Sequence, residues 1–179
     1  MAHTLQAKLL IAELGKAYVY MNTAKKPLLH SFCCYNLSLR ESAISDLAKK
    51  LGLKPGMAVC LLEAPLEAEQ AIREAAPWAV FSIALGEERF NVILFWPDEL
   101  ERLSERFAEL QRRIVPDGAI WAVIPKRKYA ARRGVGFTWE QMQAAGLQTD
   151  FVDNKVASIS EQDYGTSFVI RKERRKVRA

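Results

Sequence analysis

Two apolar runs, FNVILFW at 90–96, broken only by Asn91, and AIWAVI at 119–124, limit the fold more than any other feature of this chain. Runs of this kind have no polar side to offer water, so each strand must be covered on both faces. Between them Leu100, Leu103, Phe107, Leu110 and Ile114 recur at near-heptad spacing, the mark of an amphipathic helix. Pro97 and Asp98 open that helix, and Glu101 stands where a capping box needs it. Strand, helix and strand in so short a span predict a parallel sheet with helices on its faces.

The rest of the chain extends this alternation. SAISDLAKKLG, after Glu41, predicts a short helix closed by Gly52, with Lys49 and Lys50 in its last turn. Lys54-Pro55-Gly56 is a turn into a first strand, Met57 to Leu62. A helix from Glu67 to Ala75 and a strand from Ala79 to Leu85 follow, joined to Phe90 by the short link Gly86 to Arg89. Val115-Pro116-Asp117-Gly118 reads as a turn before the strand Ala119 to Ile124. The helix Thr138 to Ala145, with Thr138 as cap, Gln141 at the capping-box position and Gly146 as stop, precedes two closing strands. Those strands, Phe151 to Ser158 and Ser167 to Lys172, are joined by so short a connection that they must pair antiparallel.

Charge is concentrated. Lys126 to Arg133 carries five positive charges and Arg171 to Arg178 a net five more, so a total of +5 leaves −5 on everything else. Polyanion binding, if any, belongs to those two segments. Lys8, Glu13 and Lys16 interrupt the longest N-terminal apolar stretch, well short of the roughly 20 residues that cross a bilayer. The first residues also lack the pattern of a secretory leader, and Cys33, Cys34 and Cys60 show no CxxC spacing. A cytoplasmic protein with reduced thiols, no membrane contact and no metal is expected. Residues 1–40 read as an N-terminal extension of open role that offers a surface for homo-oligomer formation, residues 41–172 as the folded domain, and residues 173–179 as a disordered basic tail.

With these elements placed, the chain resembles the class I, Rossmann-like S-adenosylmethionine-dependent methyltransferases. LGLKPGMAVCLLE is similar to the turn and first strand of that fold, ERFNVILFW to its fourth strand, and IVPDGAIWAVI to its fifth with the preceding turn. Gly146-Leu147, Val152-Asp153, Lys155-Val156 and the ending YGTSFVIRK resemble a small bacterial family of unknown function built on the same fold. The resemblance covers roughly residues 43–172. It implies a reduced three-layer α/β sandwich of about six strands, mostly parallel, with order 2-1-4-5-7-6 in the family's strand numbers and one antiparallel strand near the C-terminus.

The resemblance also implies a cofactor, S-adenosylmethionine, and two requirements can be checked against the residues. Glycines should follow the first strand, because only a residue without Cβ lets the backbone approach the ligand and turn sharply into the helix. Here Pro65, Glu67 and Glu69 occupy that loop, removing an N–H and adding charge at the helix N-terminus. An acid should end the second strand to meet the ribose hydroxyls; Glu87, with Glu88 beside it, is the candidate, with Glu63 as its partner. The link Gly86 to Arg89 replaces a helix, a strand and a helix of the family, which removes the adenine enclosure.

No residue stands out for catalysis. His3 and His30 lie outside the resembling region, no GxSxG, Walker or HExxH motif occurs, and Glu101, Glu105 and Glu109 read as the solvated face of their helix. The positive feature is PKRKYAARRGVGFTWEQ, which leaves the carboxyl end of a parallel strand. Lys126, Arg127, Lys128, Arg132 and Arg133, with the backbone of Gly134 and Gly136 ahead of a capped helix, form a candidate anion site. Tyr129 and Phe137 add stacking surfaces. The expectation is a non-catalytic domain without cofactor that binds an acidic partner, whether nucleic acid, a phosphorylated ligand or an acidic protein. The alternative is a divergent S-adenosylmethionine-dependent methyltransferase using Glu63 and Glu87.

Overall fold

Ser45 begins the described part of the chain by capping a helix: its Oγ accepts from the Ala48 N–H at 3.2 Å. That helix, α1 (Asp46–Leu51), carries Lys49 and Lys50 in its last turn and ends at Gly52, whose φ of 74° is the left-handed conformation glycine adopts without steric cost. The computed structural model describes residues 45–175; the chain divides into two units, 1–43 and 44–179, and every described residue belongs to the second. The expected start of α1 near Glu41, the first-forty segment proposed for self-association, His3, His30, Cys33, Cys34 and residues 176–179 lie outside the described residues.

After α1 come β1 (Ala58–Leu62), α2 (Leu66–Ala75), β2 (Val80–Ser82), β3 (Phe90–Phe95), α3 (Leu103–Arg113) and β4 (Ile114–Pro125). A short helix α4 (Arg127–Ala130), a 3-10 turn (Ala131–Arg133), α5 (Trp139–Leu147), β5 (Phe151–Ser158), β6 (Asp163–Ile170) and α6 (Lys172–Arg175) complete the domain. Among the described residues the strands form one six-stranded sheet in the order β2-β1-β3-β4-β6-β5. The first four are mutually parallel, and β6 runs antiparallel to both β4 and β5. This is the order expected from the sequence, a three-layer α/β sandwich with one reversed strand second from the edge.

Alternate residues of the buried strands feed the two faces. On one, α3 and α5 supply Leu103, Phe107, Leu110, Met142 and Ala145 to a core with Ile93, Phe95 and Phe168. Phe107 is its centre, edge-on to Phe95 with ring centroids 5.3 Å apart and 4.9 Å from Phe168. On the other, α1 and α2 supply Ala48, Leu51 and Ile72 against Val59, Leu61, Leu94 and Trp121. Trp121 is fully buried and donates its indole N–H to the Leu51 carbonyl at 3.2 Å, while Lys155 reaches from β5 over its ring to the Lys50 carbonyl.

Several local expectations are corrected. The strand foreseen over Ala79 to Leu85 shortens to Val80–Ser82, because at the sheet edge only three residues find register with β1. The helix foreseen from Pro97 starts at Leu103, and Glu101 forms no capping box: Pro97 is buried behind β3, so the chain runs to Arg102 before turning helical. Val115 to Gly118 is a bulge inside β4 and not a turn, with the register jumping between Phe90 opposite Ile114 and Val92 opposite Ala119. A Cβ on Gly118 would stand 2.7 Å from the Asn91 carbonyl oxygen, so the bulge requires glycine. The last strand runs from Asp163 to Ile170 rather than from Ser167 to Lys172, and Lys172–Arg175, expected as the strand end and the start of the tail, form one helical turn.

Candidate functional site

The strand order makes a site before any side chain is considered. From β1 the chain passes to β2 on one side and then to β3 on the other, so the connections leaving β1 and β3 diverge and a crevice opens between their carboxyl ends. A cavity of about 320 Å³ lies there, with Phe95 and Leu103 as its apolar floor and Glu63, Pro97, Arg106 and Glu109 among its walls. Five carboxylates and three guanidiniums line it, a mixed field that suits a ligand carrying charges of both signs.

Glu63 is the first residue beyond β1 and has a φ of 58°, the one positive value among described residues other than glycine. An L-residue pays roughly 1–2 kcal/mol for that conformation. Arg106, on α3, holds it: Nη2 donates to Glu63 Oε1 while Nη1 donates to Glu109 Oε2 at 2.9 Å. Burial works against the Arg106 charge, but hydrogen bonding and attraction from Glu109 and Glu63 outweigh it and raise its pKa. Beneath the crevice, burial pushes the Cys60 thiol up to about 11, against smaller opposing effects from Ser82 and Arg106. Cys60 is therefore a neutral thiol at pH 7 and a poor nucleophile.

Of the residues singled out as cofactor ligands, Glu63 lines this crevice; Glu105 and Glu109, read as a solvated face, line it too. Glu87 does not: it is exposed on the link Ile83–Arg89, where its carbonyl accepts from Arg113 Nη1 at 3.2 Å. Nor do Pro65, Glu67 and Glu69 fill the crevice. Pro65 and Glu67 line a second cavity beside α1, and Glu69 accepts from Arg73 Nε at 2.8 Å. Across the crevice wall Glu63 pairs with Arg106. Arg106 was missed because its only signal in the sequence was a charged position on a face read as solvated.

No family model and no curated protein matches this chain. Solved structures do. A SAM dependent methyltransferase from Aquifex aeolicus superposes with a TM-score of 0.54 at 12% identity, over 72% of this chain and 92% of that one. The N-methyltransferase NodS from Bradyrhizobium japonicum gives 0.49 at 11% identity, over 76% and 98%. The fold is methyltransferase-like. At such identity the likeness speaks for the fold alone, carried by the first of these structures.

The link between β2 and β3 is as short as the sequence implies. Ile83 to Arg89 cross the α3 face of β1 without a helix, tied down where Cys60 Sγ meets the Ala84 carbonyl at 3.5 Å. The basic segment after β4 is also more ordered than an open loop. Lys126 Nζ donates to Ser158 Oγ and to the carbonyls of Ser160 and Glu161 at 2.9–3.0 Å, clasping the β5–β6 turn. Arg133 Nη1 lies 3.1 Å from Asp163 Oδ1. Arg127, Lys128 and Arg132 remain exposed on α4 and the 3-10 turn, with Lys128 4.7 Å from the Tyr129 ring centroid. Gly134 has a φ of 67° and ends the turn, and Gly136 has open space around it. Thr138 and Gln141 form the capping box expected of α5. Two of the five cations are thus engaged at the β5–β6 turn.

Among the described residues no helix is long and apolar enough to cross a membrane.

Proposed function

We propose that the crevice between β1 and β3 binds an S-adenosylmethionine-type ligand and that the domain is a divergent methyltransferase of unassigned acceptor. The observation that carries this reading is Glu63, which turns out of β1 through the left-handed backbone conformation that glycine ordinarily supplies at such a crevice. The glycine is missing from the sequence, but the turn it serves is kept. Methyltransferase-fold neighbours support this reading over a non-catalytic binder. When bound, the sulfonium ligand supplies an electrophilic methyl group. This chain's part is to hold it: Arg106 offers a guanidinium to the ligand carboxylate, and Glu63 and Glu109 offer carboxylates to its ammonium. Transfer from a sulfonium draws mainly on such positioning.

Thermal shift with S-adenosylhomocysteine tests this. Ligand at 100 times its dissociation constant adds about 2.7 kcal/mol of stability, and Arg106→Ala should lose at least tenfold in affinity. No shift with wild-type protein at millimolar ligand rejects the reading.

A second reading, binding of an acidic partner such as nucleic acid, a phosphorylated ligand or an acidic protein, is favoured by one observation: Arg127, Lys128 and Arg132 leave one short helical segment together, all exposed. In this reading they act without Lys126 and Arg133, whose charges are engaged at the β5–β6 turn.

A further inference from the structure

The second cavity, of about 370 Å³, opens on the opposite face of the sheet, between α1, α2 and the β5–β6 turn. Its walls divide by chemistry. Leu47, Ala71, Ile72 and Ile159 make an apolar side, while Glu67, Glu161 and Asp163 make an acidic one with Arg133 as the single described cation. Asp163 is the unusual member. It is 2% exposed, opposite Pro125 at the carboxyl end of β4. Its Oδ2 accepts from Ser160 Oγ at 3.1 Å, but its buried Oδ1 accepts no hydrogen bond. Arg133 Nη1 approaches Oδ1 to 3.1 Å, within ion-pair distance yet without hydrogen-bond direction, and its other nitrogen reaches Gln162 Oε1 only at 3.5 Å. A buried carboxylate oxygen is thus neutralised by a loosely seated guanidinium that comes from the cavity rim.

We infer that this cavity is a binding site for an alkylammonium group, a primary ammonium on a short aliphatic chain, which takes the place of Arg133 at Asp163. The ammonium donates to the oxygen that Arg133 leaves without a hydrogen bond, with Glu161 and Glu67 adding negative potential at the rim. The methylenes lie along Ala71, Ile72 and Ile159, an arrangement that also suits a lysine side chain. The site does not depend on the nucleoside reading, because it shares no lining residue with the β1–β3 crevice.

Calorimetry on the full chain with n-pentylamine, Nα-acetyl-lysine amide and pentanoate provides the test. Saturable binding of pentylamine and not of pentanoate is expected. If the lysine amide binds as well, the natural ligand is a side chain; if it does not, the ligand is a free amine. Ala71→Leu, which narrows the cavity from an exposed position on α2, should abolish binding at unchanged melting temperature. Arg133→Ala removes the competing cation: it should lower the melting temperature, bind pentylamine about tenfold more tightly than wild type, and recover stability with pentylamine but not with pentanoate. Absence of pentylamine binding to both wild type and Arg133→Ala, equal binding of pentanoate, or full binding by Ala71→Leu overturns the proposal. None of these results bears on S-adenosylhomocysteine binding in the other crevice.

Discussion

At Glu63 the backbone and the side chain make opposite demands. The φ of 58° favours glycine, whereas the carboxylate serves Arg106. Comparing two substitutions separates them. In ordinary backbone, Ala is the more stabilising residue by roughly 0.4–1 kcal/mol, but in left-handed backbone any Cβ costs roughly 1–2 kcal/mol. Glu63→Gly should therefore be more stable than Glu63→Ala by about 1 kcal/mol in urea unfolding, since both lose the same ion pair. The reverse order would mean that the chain leaves β1 in an extended conformation. The position of Glu63 was legible in the sequence because it follows an apolar run. Its partner was not, because Arg106 lies on another element and only tertiary packing brings the two together.

Individual elements were legible where their signals are local. The capping box of Thr138 and Gln141 needs only residues three apart, and it forms as read. Signals that depend on packing failed. Pro97, Asp98 and Glu101 spell a helix start, but burial of Pro97 delays α3 to Leu103 and leaves Pro97 and Asp98 to wall the crevice. Gly146, read as a helix stop, lies inside α5, where a Cβ would stand 2.6 Å from the Phe168 ring. Gly146→Ala gains about 1 kcal/mol in helix propensity and loses about 1–3 kcal/mol to overpacking, so a net loss is expected. Adding Phe168→Leu should make the same Gly146→Ala change stabilising in a double-mutant cycle. Additivity of the two changes would show that they do not touch.

For the whole molecule, the strand order followed from apolar runs, helix spacing and two short connections, all of them readable along the chain. The functional ranking did not follow: Pro65, Glu67 and Glu69, which stand where the family has glycines, turn toward α1 or pair along α2. Charge distribution was legible as a sum and not as a surface, since folding pairs Lys126 and Arg133 with groups of the β5–β6 turn. If a polyanion binds, Arg127→Ala with Lys128→Ala and Arg132→Ala should elute from heparin at lower salt, with a log affinity against log salt slope shallower by about 2–3. Unchanged elution would exclude this segment as the contact.

The border strand β2 keeps register with β1 over only three residues, whereas β4 and β6 are matched from Ala119 to Pro125. Strain applied to the sheet is therefore released first at that border, beside the strand that delivers Glu63. Local opening of the sheet should thus begin at β2 and leave the β4–β6 pair closed, an order that amide hydrogen exchange reads directly.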